Sequence, residues 1–317
     1  MLIDWLWVVA GFVLLFIGAD LLIRGSVRIS IRSGISPLVI GLTVVAFGTS
    51  TPELFVSLRA NLGGNGNIAA GNIVGSNIFN IAVILGLSAL LQPIKVKSQL
   101  ILQDIPVMIG ATALFFVMAR DMNLQRVEGG ILFLLLMIYV AMTVHLARKN
   151  REPEVLAEFE HLVPAQKGSM PLDLFLLVGG IGFLVGGSNL LVKGSVNIAE
   201  AAGISQAIIG LTLVAAGTGL PELATSVLAA IKKESDIAVG NIVGSNIFNL
   251  LCIGGLSPLV LPLSFPEVEK MDFAVMMVLA VLLLPLAWTR MRLGRREGAL
   301  LIASYAAYMY YIWPHAR

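Results

Sequence analysis

Residues 41–54 read GLTVVAFGTSTPEL, residues 210–223 read GLTLVAAGTGLPEL, and each stretch is followed by the same ten residues, GNIVGSNIFN, at 71–80 and at 240–249. The likeness runs without a gap from 34–91 onto 203–260, an offset of 169, with 33 of the 58 positions identical. Upstream, GADLLIRGSV (18–27) faces GGSNLLVKGSV (186–196), with Gly25 opposite Gly194. Chance does not give such agreement, so the chain is an internal duplication.

The surroundings of the duplicated stretches are apolar. Of 317 residues 57% are hydrophobic and 13% charged, and the mean hydropathy is +0.91. A soluble domain cannot hide that much apolar surface, so a membrane protein is expected. Apolar runs of the length a bilayer requires, about 20 residues, fall at 4–23, 35–60, 68–92, 102–119, 127–146, 172–192, 204–231, 237–262, 272–289 and 298–314. Each reads as a helix, because an isolated strand cannot satisfy its backbone in lipid. The expected fold is an all-α integral membrane protein with ten transmembrane helices. The first run lacks a basic leader, carrying Asp4 before it and Arg24, Arg28 and Arg32 after it, and reads as a retained span rather than a signal peptide. One cysteine, Cys252, excludes a disulfide framework or a multi-cysteine metal cage, and a net charge of +2 without a basic stripe argues against nucleic acid.

Five spans separate equivalent positions of the two copies. Five is odd, so the second copy enters the membrane from the opposite side, an inverted repeat of the kind secondary transporters use. The expected organisation is a first five-helix repeat at 1–147, a linker at 148–171 and a second, inverted five-helix repeat at 172–317. Fifteen of the 21 Lys and Arg fall on the side of the linker and six on the other. By the positive-inside rule the linker is cytoplasmic and both termini lie outside, in a plasma or inner membrane.

Of the 19 carboxylates only Glu53 and Glu222 lie deep within spans, and they are repeat mates. A charge at the bilayer centre costs on the order of 2.5 to 3.5 kcal/mol even on insertion scales, and no Lys or Arg sits at similar depth to neutralise it. A bound cation does. Each Glu follows a proline, Pro52 or Pro221, which has no N–H to give the carbonyl of Gly48 or Gly217; broken helices then present carbonyls beside a carboxylate. Thr49 and Thr218 precede the glutamates by one turn, and Asn72, Ser76 and Asn80, with mates Asn241, Ser245 and Asn249, recur at helical spacing along one face. All are oxygen donors, which hard cations such as calcium, and sodium of similar size, take as ligands. Gly71 with Gly75 and Gly240 with Gly244 read as helix-packing faces, and Asn77 and Asn246 as ties between helices. Asp4, Asp20, Asp104, Asp173 and Asp272 fall near span ends and read as interfacial. No His lies near the motifs, and GGNGNIAAG (63–71) has Ala69 where a dinucleotide fingerprint needs glycine.

The paired GTSTPE and GTGLPE, each followed by GNIVGSNIFN, resemble the repeats of the calcium/cation antiporter superfamily, most closely its sodium/calcium exchanger branch. The resemblance implies Glu53 and Glu222 as central ligands, Thr49, Thr218, Ser76 and Ser245 as sodium and calcium ligands, backbone carbonyls near Ala46 and Ala215, and Asn80 and Asn249 completing the site. Ser50 keeps a serine that Gly219 lacks. The implied function is sodium/calcium antiport by alternating access, with calcium/proton exchange on the same fold as the alternative. A passive channel and an intramembrane hydrolase are the competing classes, the latter disfavoured because no His or Cys nucleophile or base partner sits near either Glu. The expected partners are Ca2+, Na+ and the lipid bilayer, with a monomer as the working unit and no cofactor.

Overall fold

A computed structural model describes residues 2–149, 169–201 and 215–312. The order is α1 Leu2–Ser33, α2 Pro37–Thr49, α3 Thr51–Leu62, α4 Gly66–Leu91, β1 Ile94–Lys95, α5 Leu100–Asp121, β2 Asn123–Leu124 and α6 Arg126–Lys149. It continues as α7 Met170–Ala201, α8 Ala215–Thr218, α9 Leu220–Ile231, α10 Ser235–Val260, β3 Leu263–Ser264, α11 Lys270–Trp288, β4 Arg292–Leu293 and α12 Arg295–Ile312. Among the described residues seven helices are long and apolar enough to cross a membrane, or eight if the bent pair α2–α3 counts as one. The span expected at 204–231 lies partly outside the described residues, as do most of the linker and the end of the last span.

The fold is all-helical in its spans, and the connections between them add short extended segments. Gln92 and Leu261, repeat mates, each precede a proline and are extended, at φ −140°, ψ 117° and φ −143°, ψ 126°, because the proline ring disfavours helical backbone before it. The chain therefore leaves α4 and α10 as short strands. These pair in two small antiparallel ribbons, β1 with β4 and β2 with β3.

The two longest helices, α1 and α7, pack antiparallel along glycines. Gly11, Gly18 and Gly25 recur every seven residues, and so do Gly180, Gly187 and Gly194. A Cβ on Gly18 would lie 2.8 Å from the Gly180 carbonyl oxygen, and one on Gly180 would lie 2.6 Å from the Leu22 nitrogen. Only glycine permits that approach, which brings the backbones together as at small-residue interfaces in lipid.

The ends of this pair correct the interfacial reading of the aspartates. Asp173 is 0% exposed, with Arg32 at 2.9 Å and Arg28 at 3.8 Å. At the opposite end its mate Asp4 accepts from Asn197 at 2.8 Å, and Asn197 is the mate of Arg28. Asp104, also buried, accepts from the Tyr139 hydroxyl at 3.1 Å and so ties α5 to α6. Asp272 accepts from Tyr308 at 2.8 Å and ties α11 to α12 in the same way. Neighbouring helices thus cover Asp104 and Asp173, whereas Asp4 and Asp272 stay partly exposed, as their places at the span ends imply. Asp20 is held by Arg24 and Lys232.

At the centre lies α10, whose most apolar 18-residue window is wholly buried. Gly240 and Gly244 face α2, where added Cβ atoms would meet the Leu38 and Leu42 carbonyl oxygens at 2.9 and 2.5 Å. The packing expectation thus holds for that copy. At Gly71 and Gly75 no described atom lies within 4 Å of an added Cβ; the repeat mate of the α2 surface falls in residues 202–214, outside the described part.

Candidate cation site

Both proline breaks occur where the sequence puts them. Pro52 and Pro221 occupy the first turns of α3 and α9, and the residues before those helices, Ser50 and Gly219, share one conformation, φ −82°, ψ 6° and φ −81°, ψ 1°. The α2 and α3 axes are bent by 44° across Ser50. The Gly217 carbonyl accepts from Ser188 Oγ at 2.6 Å. The equivalent of Ser188 in the first repeat is Ala19, which has no hydroxyl to offer Gly48. The Ala46 carbonyl accepts the Ser50 N–H at 3.0 Å and the Thr49 hydroxyl at 3.4 Å; Ala215 begins α8.

The breaks put Glu53 and Glu222 in the first turns of new helices, where unpaired N–H groups and the macrodipole favour negative charge. The side chains are 2% and 1% exposed. Each is held from the other repeat: Ser50 Oγ donates to Glu222 Oε1 at 2.9 Å, and Thr218 hydrogen-bonds Glu53. The carboxylates lie near enough to repel each other. No basic side chain pairs with either among the described residues. Nor does any group of three His, Cys, Asp or Glu gather there, so the charge of this centre is two carboxylates.

The GNIVGSNIFN segments form the facing walls. Asn72 Nδ2 donates to Ser57 Oγ at 2.9 Å, and its mate Asn241 Nδ2 donates to Ser226 Oγ at 2.9 Å. Asn72 Nδ2 also reaches the Glu53 carbonyl at 3.2 Å, while Thr49 Oγ1 donates to Asn241 Oδ1 at 3.0 Å. These amides therefore brace the broken helices. Ser76 Oγ lies 3.5 Å from Asn72 Oδ1. Asn80 and Asn249 each open a π-helical turn, Asn80–Leu85 and Asn249–Ile253, a distortion that frequently marks functional sites. Asn80 Nδ2 donates to Asn246 Oδ1 at 3.0 Å. Asn246 thus ties helices as expected, whereas Asn77 Nδ2 bonds only within its own helix, to the Ile73 carbonyl at 2.7 Å.

Several buried polar atoms in this region have no hydrogen-bond partner among the described residues: Glu53 Oε2, Glu222 Oε2, Ser245 Oγ, both side-chain atoms of Asn249, and Thr225 Oγ1. Buried polar groups are seldom left unpaired. Here five residues contribute acceptor oxygens, two of them with charge, and oxygen donors around paired carboxylates are the ligand set of a hard cation. Sequence reasoning missed Thr225. It lies one turn beyond Glu222 on the same helix face, but its repeat mate is Val56, so a search restricted to repeated residues passes over it.

The chain is similar to known proteins over nearly its whole length. A family model described as sodium/calcium exchanger protein matches residues 3–145 and 172–313. The sodium/calcium exchanger MaX1 of Methanosarcina acetivorans is 34% identical over 341 residues, covering 97% of both chains. The inner membrane protein YrbG of Escherichia coli is 34% identical over 313 residues, covering 96% of both. Among solved structures, the sodium-calcium exchanger NCX_Mj, soaked with zero Na+ and Ca2+, superposes with a TM-score of 0.86 at 32% identity, covering 98% of this chain and 99% of that one.

Proposed function

The chain belongs to the sodium/calcium exchanger family, and on that premise we propose that it exchanges sodium for calcium at the site bounded by Glu53 and Glu222. As a member it is an integral membrane cation antiporter and not an enzyme. The single observation that carries the finer reading is the buried pair of glutamates, each with an unpaired oxygen and no cationic partner among the described residues.

In this reading Glu53 and Glu222 hold calcium and neutralise it. Thr49, Ser50, Thr218, Ser76 and Ser245, with Asn80, Asn249 and the carbonyls of Ala46 and Ala215, supply the neutral oxygens that sodium takes in its place. Sodium is favoured over protons as the counter-ion for a chemical reason: a proton needs only a carboxylate, and the many uncharged oxygens would have nothing to coordinate.

The proposed frame is ten crossings in two inverted halves, 1–147 and 172–317, joined by a cytoplasmic linker at 148–171. Contacts between connecting segments support it. The ribbon of β1 with β4 and the Lys97–Asp236 ion pair, 2.6 Å, join segments that an even number of expected crossings separates, and so puts on one side. The ribbon of β2 with β3, the Asn61 amide on the Ser257 carbonyl at 2.8 Å, and the Asn197–Asp4 bond join segments of the other. Alternating access follows from two inverted halves exchanging shapes around a fixed site.

Calcium uptake into proteoliposomes under an imposed sodium gradient, at fixed pH and with a protonophore present, tests the function. Uptake that follows sodium supports it; uptake that follows only a proton gradient would replace it with calcium/proton exchange. For orientation, a fusion after Arg317 should report the outer face.

A further inference from the structure

A second asymmetry lies outside the cation site, where the long helices α1 and α7 meet the helices that carry the glutamates. Along α9 runs α1, and the face of α9 that carries Thr225 and Leu228 is buried. In the other copy α7 makes no comparable contact with α3 among the described residues, and the mates Val56 and Arg59 are exposed. One seam is closed while its mirror is open.

At the mouth of the closed seam α1 is tied to the connection that follows α9, because Lys232 Nζ donates to Asp20 Oδ1. Arg24 also pairs with Asp20, at 2.8 Å, but it lies on α1 itself and cannot hold two helices together. Neither member of the interhelical pair has a charged mate: Asp20 is matched by Asn189 and Lys232 by Gly63. The backbone does not account for the difference. Lys232 and Gly63 share one conformation, φ −76°, ψ 0° and φ −79°, ψ 3°, and the residues after them, Lys233 and Gly64, both turn left-handed, at φ 64° and φ 78°. Glycine takes that angle freely and lysine only at a cost, so the second copy carries lysines in a turn that the first makes with glycines. A closed mirror seam would also have to enclose Arg59, the mate of Leu228, which has no ion-pair partner among the described residues. An ion pair made across one seam and impossible across its mirror favours one of the two shapes that inverted halves exchange.

We propose that Asp20 and Lys232 form a latch that holds α1 over α9, so that the mouth beside the α9–α10 connection rests closed. This rests on the alternating-access reading above and deepens it by naming what holds one of the two shapes. Both are positioning residues, acting through α1 rather than on the ion. An ion pair at such a mouth shifts a two-state equilibrium by roughly twofold to fivefold.

Two added cysteines read the seams, Leu228→Cys in the latched one and Val56→Cys in its mirror. The whole protein is held in nanodiscs, where a small charged thiol reagent reaches both faces; the native Cys252 is buried. Asp20→Asn and Lys232→Gln should each speed modification of Leu228→Cys by roughly twofold to fivefold and slow that of Val56→Cys. Combining them should do no more than either alone, since both break one interaction, and Lys232→Arg should keep both rates. The converse variant Asn189→Asp/Gly63→Lys puts the pair on the mirror seam and should slow Val56→Cys while speeding Leu228→Cys. Unchanged rates in Asp20→Asn would overturn the latch, and so would faster modification of both probes, which is the mark of a loosened fold. In the protein with its latch intact the two probes should respond to sodium and calcium in opposite senses. If they do and Asp20→Asn moves neither, the latch alone falls; if neither probe responds to any ion, alternating access falls and the latch with it.

Discussion

The two copies of GNIVGSNIFN are identical in sequence and differ in surroundings. In the second copy the whole stretch Ile237–Phe248 is buried, α2 lies against Gly240 and Gly244, and Ser245 and Asn249 are sealed with polar atoms unpaired. In the first, Gly71, Asn72, Gly75 and Ser76 are half-buried, and Asn80 is engaged by Asn246 at 3.0 Å. The ten residues are identical, so the difference lies in what surrounds them, and for the first copy the counterpart of the α2 surface falls in residues 202–214, outside the described part. Under the alternating access proposed above, one half is closed while the other is open, and the two copies then exchange surroundings during the cycle.

The largest effect is expected where the halves meet on equal terms. Glu53→Gln and Glu222→Gln each remove one of two charges facing a divalent ion, and breaking a buried charge pair costs about 3 to 5 kcal/mol, more than a hundredfold in affinity. Both variants should therefore lose calcium exchange. The empty protein should melt no lower, because two buried carboxylates that repel each other become one. Wild-type calcium flux in either variant at normal expression would remove these residues from the site.

The next effect reads the comparison directly. Ser76→Cys should react with a small charged thiol reagent at least about tenfold faster than Ser245→Cys, since reactivity follows access. The native Cys252 is buried and its thiol will not contribute. If saturating calcium or sodium brings the two rates together or reverses them, the asymmetry belongs to a state; if no ion condition changes the ratio, it is a fixed property of the fold.

A smaller effect separates asymmetry written in the sequence from asymmetry of state. Ser50 bonds Glu222 across the repeat, and the mate Gly219 has no hydroxyl to bond Glu53. Ser50→Gly should weaken ion affinity by the value of one hydrogen bond to a charged group, about 1.5 to 3 kcal/mol, and Gly219→Ser should strengthen it by less, since the backbone there already has the Ser50 conformation. Isothermal titration with calcium and with sodium gives both numbers. An unchanged affinity in Ser50→Gly would show that the hydroxyl only braces the empty site.

These contrasts also mark how far the sequence could be read. The apolar runs, the duplication and the depth of Glu53 and Glu222 are local or repeat-borne, and each leaves a pattern along the chain. The proline breaks were equally legible, because a missing N–H acts on residues within one turn. The hydrogen bond from Ser50 to Glu222 was not: its partners lie 172 positions apart, and repeat logic pairs each residue with its equivalent rather than with what it touches. Asp104 and Asp173 were misplaced for a related reason, since span-end position measures distance from water along one helix and takes no account of the neighbours stacked around it. Nothing local distinguishes the π-helical turns at Asn80 and Asn249 from regular helix.

The smallest expected effect is none at all, and it tests the charge count at the positions where the two copies agree. Asn80 and Asn249 both present amides, so the centre holds two carboxylates against one calcium ion. Adding a potassium ion would leave a positive charge uncompensated in a low-dielectric site, where an unpaired charge is costly. A third acid in either second segment would change that balance, but the only acid in those stretches is Asp236, already paired with Lys97 at 2.6 Å near the helix start. Sodium-driven calcium uptake should thus be the same when potassium is replaced by choline on both sides of the vesicle. In Asn249→Asp, by contrast, the added charge falls where both side-chain atoms are unpartnered, and a dependence on potassium should appear. Collapse of wild-type flux in choline would mean that the site carries more negative charge than Glu53 and Glu222 provide.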